Sequence, residues 1–273
     1  MPTLDLSADA LKEVVRTKYR AIAEGIDTCC GTSSSCGGDE AALWLDVSDS
    51  YAGAEEIAAE ADLGLGCGLP TQYADLQPGE RVLDLGSGAG MDAFVARRDV
   101  GGEGHVHGVD MTEEMVTKAR TNADKLGHEN VTFAVGDIEA LPVEDDSFDV
   151  ALSNCVLNLV PDKAQAFAEI ARVLRPGGRF AISDIVRTGA LPAPLRTAAE
   201  VYVGCVAGAM ERTDYLALLR EVGFEDVTVV AETNIDLPGE MLAKYLSGEG
   251  QQQVRSERGL IQSITVTGRR PSR

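Results

Sequence analysis

Between residues 81 and 184 the chain alternates short apolar runs with amphipathic stretches. Runs at 81–85, 105–109, 131–135, 148–153 and 179–184 have the length of strands, and stretches near 91–98, 112–126 and 162–174 have helical apolar spacing. This alternation predicts right-handed βαβ units and a mostly parallel sheet. Upstream, Leu11, Val14, Val15, Tyr19 and Ile22 make one helical stripe over 7–24, with Ser7 placed to cap it. Further helices are expected near 39–46 and 53–61. Residues 185–212 break the alternation and read as a helical cap. A helix at 213–222, a strand at 226–231, a polar helix near 238–247 and a strand at 260–267 complete the chain. The final pair reads as antiparallel, because the 232–259 connection holds no clean crossover. Three regions follow: N-terminal helices with a Cys-rich loop over 1–75, the sheet core over 76–184, and a cap with the completing strands over 185–273.

At the head of the alternation stands Val82-Leu-Asp-Leu-Gly-Ser-Gly-Ala-Gly90, a buried strand running into a glycine turn with a helix opening near Met91. Lacking Cβ atoms, Gly86, Gly88 and Gly90 let the backbone approach a ligand and take positive φ. The unpaired N–H groups of the next helix favour an anionic group. This is a nucleotide-type site. Its spacing is Gly-x-Gly-x-Gly, not the Gly-x-Gly-x-x-Gly of dinucleotide folds. Asp84, inside the strand, would repel a pyrophosphate but could meet a cationic amino-acid group, so a dehydrogenase is disfavoured. Ligands of such sheets bind beyond the carboxyl ends of the strands, and those ends are polar here. Asp110, before Met111, is placed for a ribose, and Asp137, before Ile138, can accept from an adenine amino group. The fourth strand ends Ser153-Asn154-Cys155 and the fifth Ser183-Asp184. Singly, each is also a helix-capping type; a whole polar edge is better explained by a site.

The glycine turn resembles motif I of the S-adenosylmethionine-dependent methyltransferases. The resemblance implies a Rossmann-like class I sheet, mostly parallel and seven-stranded with the last strand antiparallel, carrying N-terminal helices and a helical cap. It also implies S-adenosylmethionine as methyl donor, bound in the 76–184 core by Asp84, Gly86, Ser87, Gly88, Gly90, Asp110, Met111, Asp137, Ile138 and Asn154.

Charge excludes more than it selects. With 24 basic and 44 acidic residues the net charge is −20, which argues against nucleic acid as a partner. Only 6 of the basic residues are Lys and 18 are Arg. An acidic, Lys-poor surface suits a high-salt cytoplasm, where screening removes self-repulsion, and equally a GC-rich genome. No apolar run reaches the ~20 residues needed to span a bilayer, and the mixed-charge N-terminus does not read as a secretory signal. A cytoplasmic location with no membrane partner is expected.

The six cysteines are therefore not expected to form a disulfide framework. Cys67 sits in the glycine-laced LGLGCGLP (63–70), Cys155 one residue past a strand, and Cys205 in YVGCVAG (202–208). Core packing is not the evident reason for any of these positions, although a free Cys is often a small buried hydrophobe. LGLGCG (63–68), VLDLGSGAG (82–90), GVDMTEEMV (108–116), GDIEALP (136–142), SNCVLNLVPDK (153–163) and YVGCVAG (202–208), in that order, resemble the arsenite methyltransferase family over roughly residues 10–210. General small-molecule methyltransferases share the glycine turn and the RVLRPGG segment but not the three cysteine contexts. The resemblance implies As(III), as arsenite or a thiol conjugate, held by the thiolates of Cys67, Cys155 and Cys205, methylated, and so detoxified. It also implies a thiol reductant such as thioredoxin as partner. Cys29, Cys30 and Cys36 resemble the family's extra N-terminal cysteines, which would relay arsenic inward or pair with Cys67. Leu69 departs from the family, which usually carries Asn there.

The chemistry agrees with the residue types. Trivalent arsenic is soft and pyramidal, so three thiolates fill its bonds and leave a lone pair for the sulfonium methyl. That nucleophile carries no proton and needs no general base. Only three His are present (105, 107 and 128), none at a strand end. Two rivals remain: a C- or O-methyltransferase of the quinone or sterol type, in which the cysteines would be dispensable, and a metal sensor or thiol buffer. The second lacks Cys-x₂-Cys pairs and leaves the cofactor site unexplained.

Overall fold

The computed structural model describes residues 7–26 and 60–272. The helix expected near 39–46, most of that near 53–61, and Cys29, Cys30 and Cys36 lie outside the described residues. Helix α1 (Ala8–Ala23) starts where Ser7 was expected to cap it, the Ser7 side chain accepting from Ala10 N. Its stripe turns Val15 and Ile22 inward.

The core alternation runs β1 (Arg81–Leu85), α2 (Met91–Val100), β2 (His105–Asp110), α3 (Glu113–Leu126), β3 (Val131–Val135), β4 (Phe148–Asn154), α4 (Lys163–Val173) and β5 (Leu174–Arg187). Beyond it follow two short helices, α5 (Ala193–Arg196) and α6 (Ala199–Val203), then α7 (Arg212–Glu221), β6 (Glu225–Ile235), α8 (Gly239–Tyr245), α9 (Gly248–Ser256) and β7 (Ile261–Arg269). One seven-stranded sheet results, in the order β3-β2-β1-β4-β5-β7-β6. Strands β1 to β5 pair in parallel, and β7 runs antiparallel to both β5 and β6. The Rossmann-like fold class and the antiparallel last strand are as the sequence predicted.

Differences fall where local signals compete with pairing. The fifth strand, expected at 179–184, instead begins at Leu174, which pairs with Phe148 across an irregularity in the β4 ladder. The region expected as a helical cap begins as sheet, because β5 continues to Arg187 against β7. The single polar helix near 238–247 is two helices, divided at Leu246 and Ser247, where Ser247 accepts from Gly250 N as a new N-cap.

Both sheet faces are covered. The apolar positions of β1, β4 and β5 pack against α4 and α7 on one side, and against α2 and α3 on the other. A third apolar group, around Leu159, Ile185, Val201 and Val206, lies where the cap meets the carboxyl ends of the strands. All three described cysteines belong to it. No helix among the described residues is long and apolar enough to cross a membrane.

Candidate active site

Past the carboxyl end of β1 the chain turns through Gly86, Gly88 and Gly90, all at positive φ. Two of them answer different demands. A Cβ on Gly86 would lie 2.5 Å from the Val156 side chain, whereas one on Gly88 would meet nothing within 4 Å among the described residues. Gly86 is thus required by packing, and Gly88 leaves an open stretch of wall. That wall bounds a cavity of about 580 Å³, a volume suited to a nucleoside-sized molecule. Gly86, Ser87, Gly88, Asp110, Met111, Asp137, Ile138 and Asn154 line it, as do Asp92, Cys155 and the inward face of α1.

Asp110 closes the turn: one oxygen accepts from Gly88 N at 3.0 Å and the other from Thr112 N at 2.8 Å. Burial raises its pKa despite those bonds. Asp84 is not on the wall. It lies behind the turn, its Oδ2 without a hydrogen-bond partner among the described residues. Burial, and then Asp92 and Asp110, push its pKa up. Asp92 is the carboxylate of that group that faces the cavity with Asp110, a residue the sequence reading missed. Its position as an acidic residue in the first turn after the glycines was the available signal. Asp137 lines the cavity but is already engaged, accepting from Lys12 at 2.6 Å through one oxygen and from Glu139 N at 3.0 Å through the other. Lys12 also pairs with Glu139, and Arg20 with Glu114, so ion pairs hold α1 over the cavity mouth. Gly90, the N-cap of α2, is not among the lining residues.

Asn154 joins this cavity to the thiols. Its Oδ1 accepts from Cys67 N at 3.0 Å, while its Nδ2 donates to Gly68 O at 2.9 Å and Asp92 Oδ2 at 3.1 Å. The 66–68 segment lies so close that a Cβ on Gly66 would sit 2.8 Å from Asn154 Nδ2, and one on Gly68 2.6 Å from Ser183 Oγ. From the far side, Ser263 on β7 donates to the Cys67 carbonyl.

Cys67, Cys155 and Cys205 meet in one buried chamber as free thiols. Cys155 is central, its Sγ within 4.8 Å of that of Cys67. The neighbouring thiols of Cys205 and Cys67, and then burial, hold its pKa well above the ordinary range. Burial chiefly raises that of Cys67. The Cys205 Sγ lies 3.1 Å from the Cys155 carbonyl, to which it donates. Cys155 and Cys205 both have left-handed backbones, φ +59° and +65°, a conformation non-glycine residues rarely take. The strain is overdetermined locally, by Cys155 N donating to Ser183 O at 2.8 Å and Cys205 N to Tyr202 O at 2.9 Å.

Behind the thiols lies a polar group that the sequence reading did not assemble. Asn158 donates to Asp184 Oδ1 and to Ile185 O, each at 2.7 Å, and Tyr215 OH lies 3.4 Å from Asp184 Oδ2. Asp184 is 1% exposed, and burial raises its pKa to about 7. The histidines stay outside: His105 and His107 share Thr132 on the adjacent strand.

A doubly wound sheet with an open glycine turn beside a thiol chamber defines a methyltransferase. The family described as "Methyltransferase domain" matches residues 76–223. An arsenite methyltransferase of Halobacterium salinarum is 42% identical over 98% of this chain and 69% of its own length. One from Aquipseudomonas alcaligenes is 37% identical over 79% of this chain and 62% of its own. Among solved structures, an arsenic(III) S-adenosylmethionine methyltransferase from Chlamydomonas reinhardtii superposes with a TM-score of 0.63 at 37% identity, covering 81% of this chain and 71% of that one. The chain belongs to the arsenite methyltransferase family.

Proposed function

We propose that this protein methylates trivalent arsenic, holding it on Cys67, Cys155 and Cys205 and taking the methyl group from S-adenosylmethionine, a reaction that serves arsenic detoxification. The observation that carries the proposal is the position of Cys155. It stands on the wall of the glycine-turn cavity, its Sγ within 4.8 Å of the Cys67 Sγ and its carbonyl 3.1 Å from the Cys205 Sγ, so an atom held by all three sulfurs adjoins the cavity.

The cavity fits the methyl donor on two counts. The missing side chain of Gly88 leaves room along the wall. Asp92 and Asp110 face one end with Asp84 buried behind them; burial and those two carboxylates raise the cost of ionising Asp84, and a cationic ligand relieves such crowding. S-adenosylmethionine, when bound, supplies an electrophilic methyl on a sulfonium sulfur. Asp110 offers carboxylate oxygens to a ribose, Asp92 faces an ammonium group, and the Gly86–Gly88 backbone forms the floor. Asp137 and Ile138 line the same cavity, with Lys12 bound to Asp137.

Protonated thiols suit the arsenic step. Arsenous acid is neutral at neutral pH, as are three thiols. When three As–S bonds form, each hydroxyl leaves with one thiol proton as water, so three waters are released and no net charge is buried. That avoids the large cost of desolvating separate thiolates. Arsenic keeps its lone pair. The strained turns at Cys155 and Cys205, with the Asn154 and Ser263 contacts to Cys67, fix where that lone pair points. Positioning of this kind is worth ~7–11 kcal/mol of a displacement barrier. Methylation formally oxidises arsenic by two electrons, so a dithiol reductant of the thioredoxin class is the expected partner that restores the trivalent state.

Methyl transfer from labelled S-adenosylmethionine to As(III), with a dithiol present, tests the proposal. Wild type is expected to yield labelled methylarsenicals and Cys205→Ser none. Donor binding by wild type without any methylated arsenic, in low or multimolar salt, would refute it and leave a carbon or oxygen acceptor as the better reading.

A further inference from the structure

The thiol chamber contains one ligand-type group that trivalent arsenic does not need. A carboxylate oxygen of Asp184 and the Sγ atoms of Cys67 and Cys155 all lie within 4.8 Å of one another. All three residues are buried. Asp184 is oriented through its Oδ1, which accepts from Asn158 Nδ2 at 2.7 Å and from Ile185 N at 3.0 Å. Among the described residues its Oδ2 has only the long 3.4 Å contact to Tyr215 OH. Cys205 is not part of this group; it adjoins Cys155, donating to the Cys155 carbonyl at 3.1 Å.

We infer that Cys67, Cys155 and Asp184 form a second, differently composed site for a thiophilic divalent cation of the zinc and cadmium class. As(III) makes three bonds to sulfur and stops. A d¹⁰ dication takes four donors in a tetrahedron and accepts a mixed sulfur and oxygen set, often with three protein ligands and one water. The arsenic set is Cys67, Cys155 and Cys205; the dication set exchanges Cys205 for Asp184. As each Sγ–metal bond forms, the thiol proton passes to solvent. Two thiolates and a carboxylate around a dication leave one negative charge. The ammonium of Lys163, which donates to Val160 O at 3.0 Å and interacts electrostatically with Asp184, offsets it. The two ligand sets share two sulfurs, so zinc or cadmium excludes arsenic.

The inference uses the same chamber as the proposed arsenic reaction but does not require that arsenic bind. The test uses the full chain with Cys29, Cys30 and Cys36 replaced by serine, so that sulfur ligation comes from the chamber alone. Zn²⁺ and As(III) binding are measured separately by equilibrium dialysis, and Co²⁺ reports ligation through its sulfur charge-transfer and tetrahedral d–d bands. One dication per chain is expected. Cys205→Ser should keep it within about threefold yet lose As(III), while Asp184→Asn should weaken it at least about tenfold and still capture As(III). Dication binding lost in Cys205→Ser, retained in Asp184→Asn, or absent from the parent overturns the inference. Should Asp184→Asn also lose As(III), Co²⁺ in Cys205→Ser decides. A charge-transfer intensity per cobalt equal to the parent's upholds two sulfurs, and a fall shows that Cys205 was a ligand and overturns the assignment. Loss of As(III) binding in the parent, with the dication kept, refutes the arsenic reading alone.

Discussion

Cys155→Ser lowers methyl transfer to As(III) by about 10³-fold or more, equivalent to roughly 4 kcal/mol of transition-state stabilisation. Serine is nearly the same size and preserves the backbone bond to Ser183 O, so the fold is expected to survive. What disappears is the sulfur of the cavity-lining residue that adjoins both Cys67 and Cys205. Oxygen is a hard donor and a poor replacement toward arsenic, and two remaining sulfurs leave the lone pair free to swing. Steady-state rates, with donor affinity measured alongside, check this result. Donor binding should stay within a few fold of wild type. A variant retaining a tenth of the activity would mean that Cys155 is packing material and that the thiol chamber is not where arsenic reacts.

Gly208→Ala is the second large effect, and it acts through the backbone. A Cβ there would fall 2.1 Å from the Asn158 carbonyl oxygen, far inside van der Waals contact and against backbone rather than a flexible side-chain end. Either the 205–209 turn or the 157–159 turn must move. The first carries Cys205, and the second carries Asn158 together with the Leu159 carbonyl that accepts from Tyr202 OH at 3.0 Å. Overpacking at such a point costs roughly 3 kcal/mol. Denaturant melts should show that loss, together with lower As(III) affinity at temperatures where the variant is still folded. Unchanged stability would mean that the two turns separate freely, and the chamber would then be looser than its hydrogen bonds imply.

Much of this arrangement was legible in the sequence because it rests on periodicity and on glycines. The strand and helix alternation from 81 to 184 is set by which residues face the sheet, and Ser7 and the 86–90 turn are local backbone chemistry. The three cysteine contexts were equally visible, since each sits beside a glycine or a strand end where packing gives a thiol no reason to be. What stayed hidden depends on tertiary convergence. Asp84 was the evident acid of the motif, yet the pleat turns it behind the turn and leaves Asp92 on the cavity wall. Asn158 reads as a stray polar residue in VLNLV until β5 brings Asp184 and Ile185 O to it. Ser263, on the antiparallel strand, reaches Cys67 across most of the chain length. Lys12 binds Asp137 only because α1 folds back over the cavity. The extension of β5 to Arg187 overrides a local sequence that promised a cap, because β7 offers a ladder to pair with.

In the proposed reaction one arsenic atom is bound by Cys67, Cys155 and Cys205 together. X-ray absorption at the arsenic edge measures this most directly, using the reduced full chain with Cys29, Cys30 and Cys36 replaced by serine and loaded with one equivalent of As(III). Three sulfur neighbours and no oxygen are expected, falling to two sulfurs and one oxygen when any one of the three thiols is changed to serine. A parent spectrum with a retained oxygen, or one that Cys205→Ser leaves unchanged, would contradict the three-thiol account.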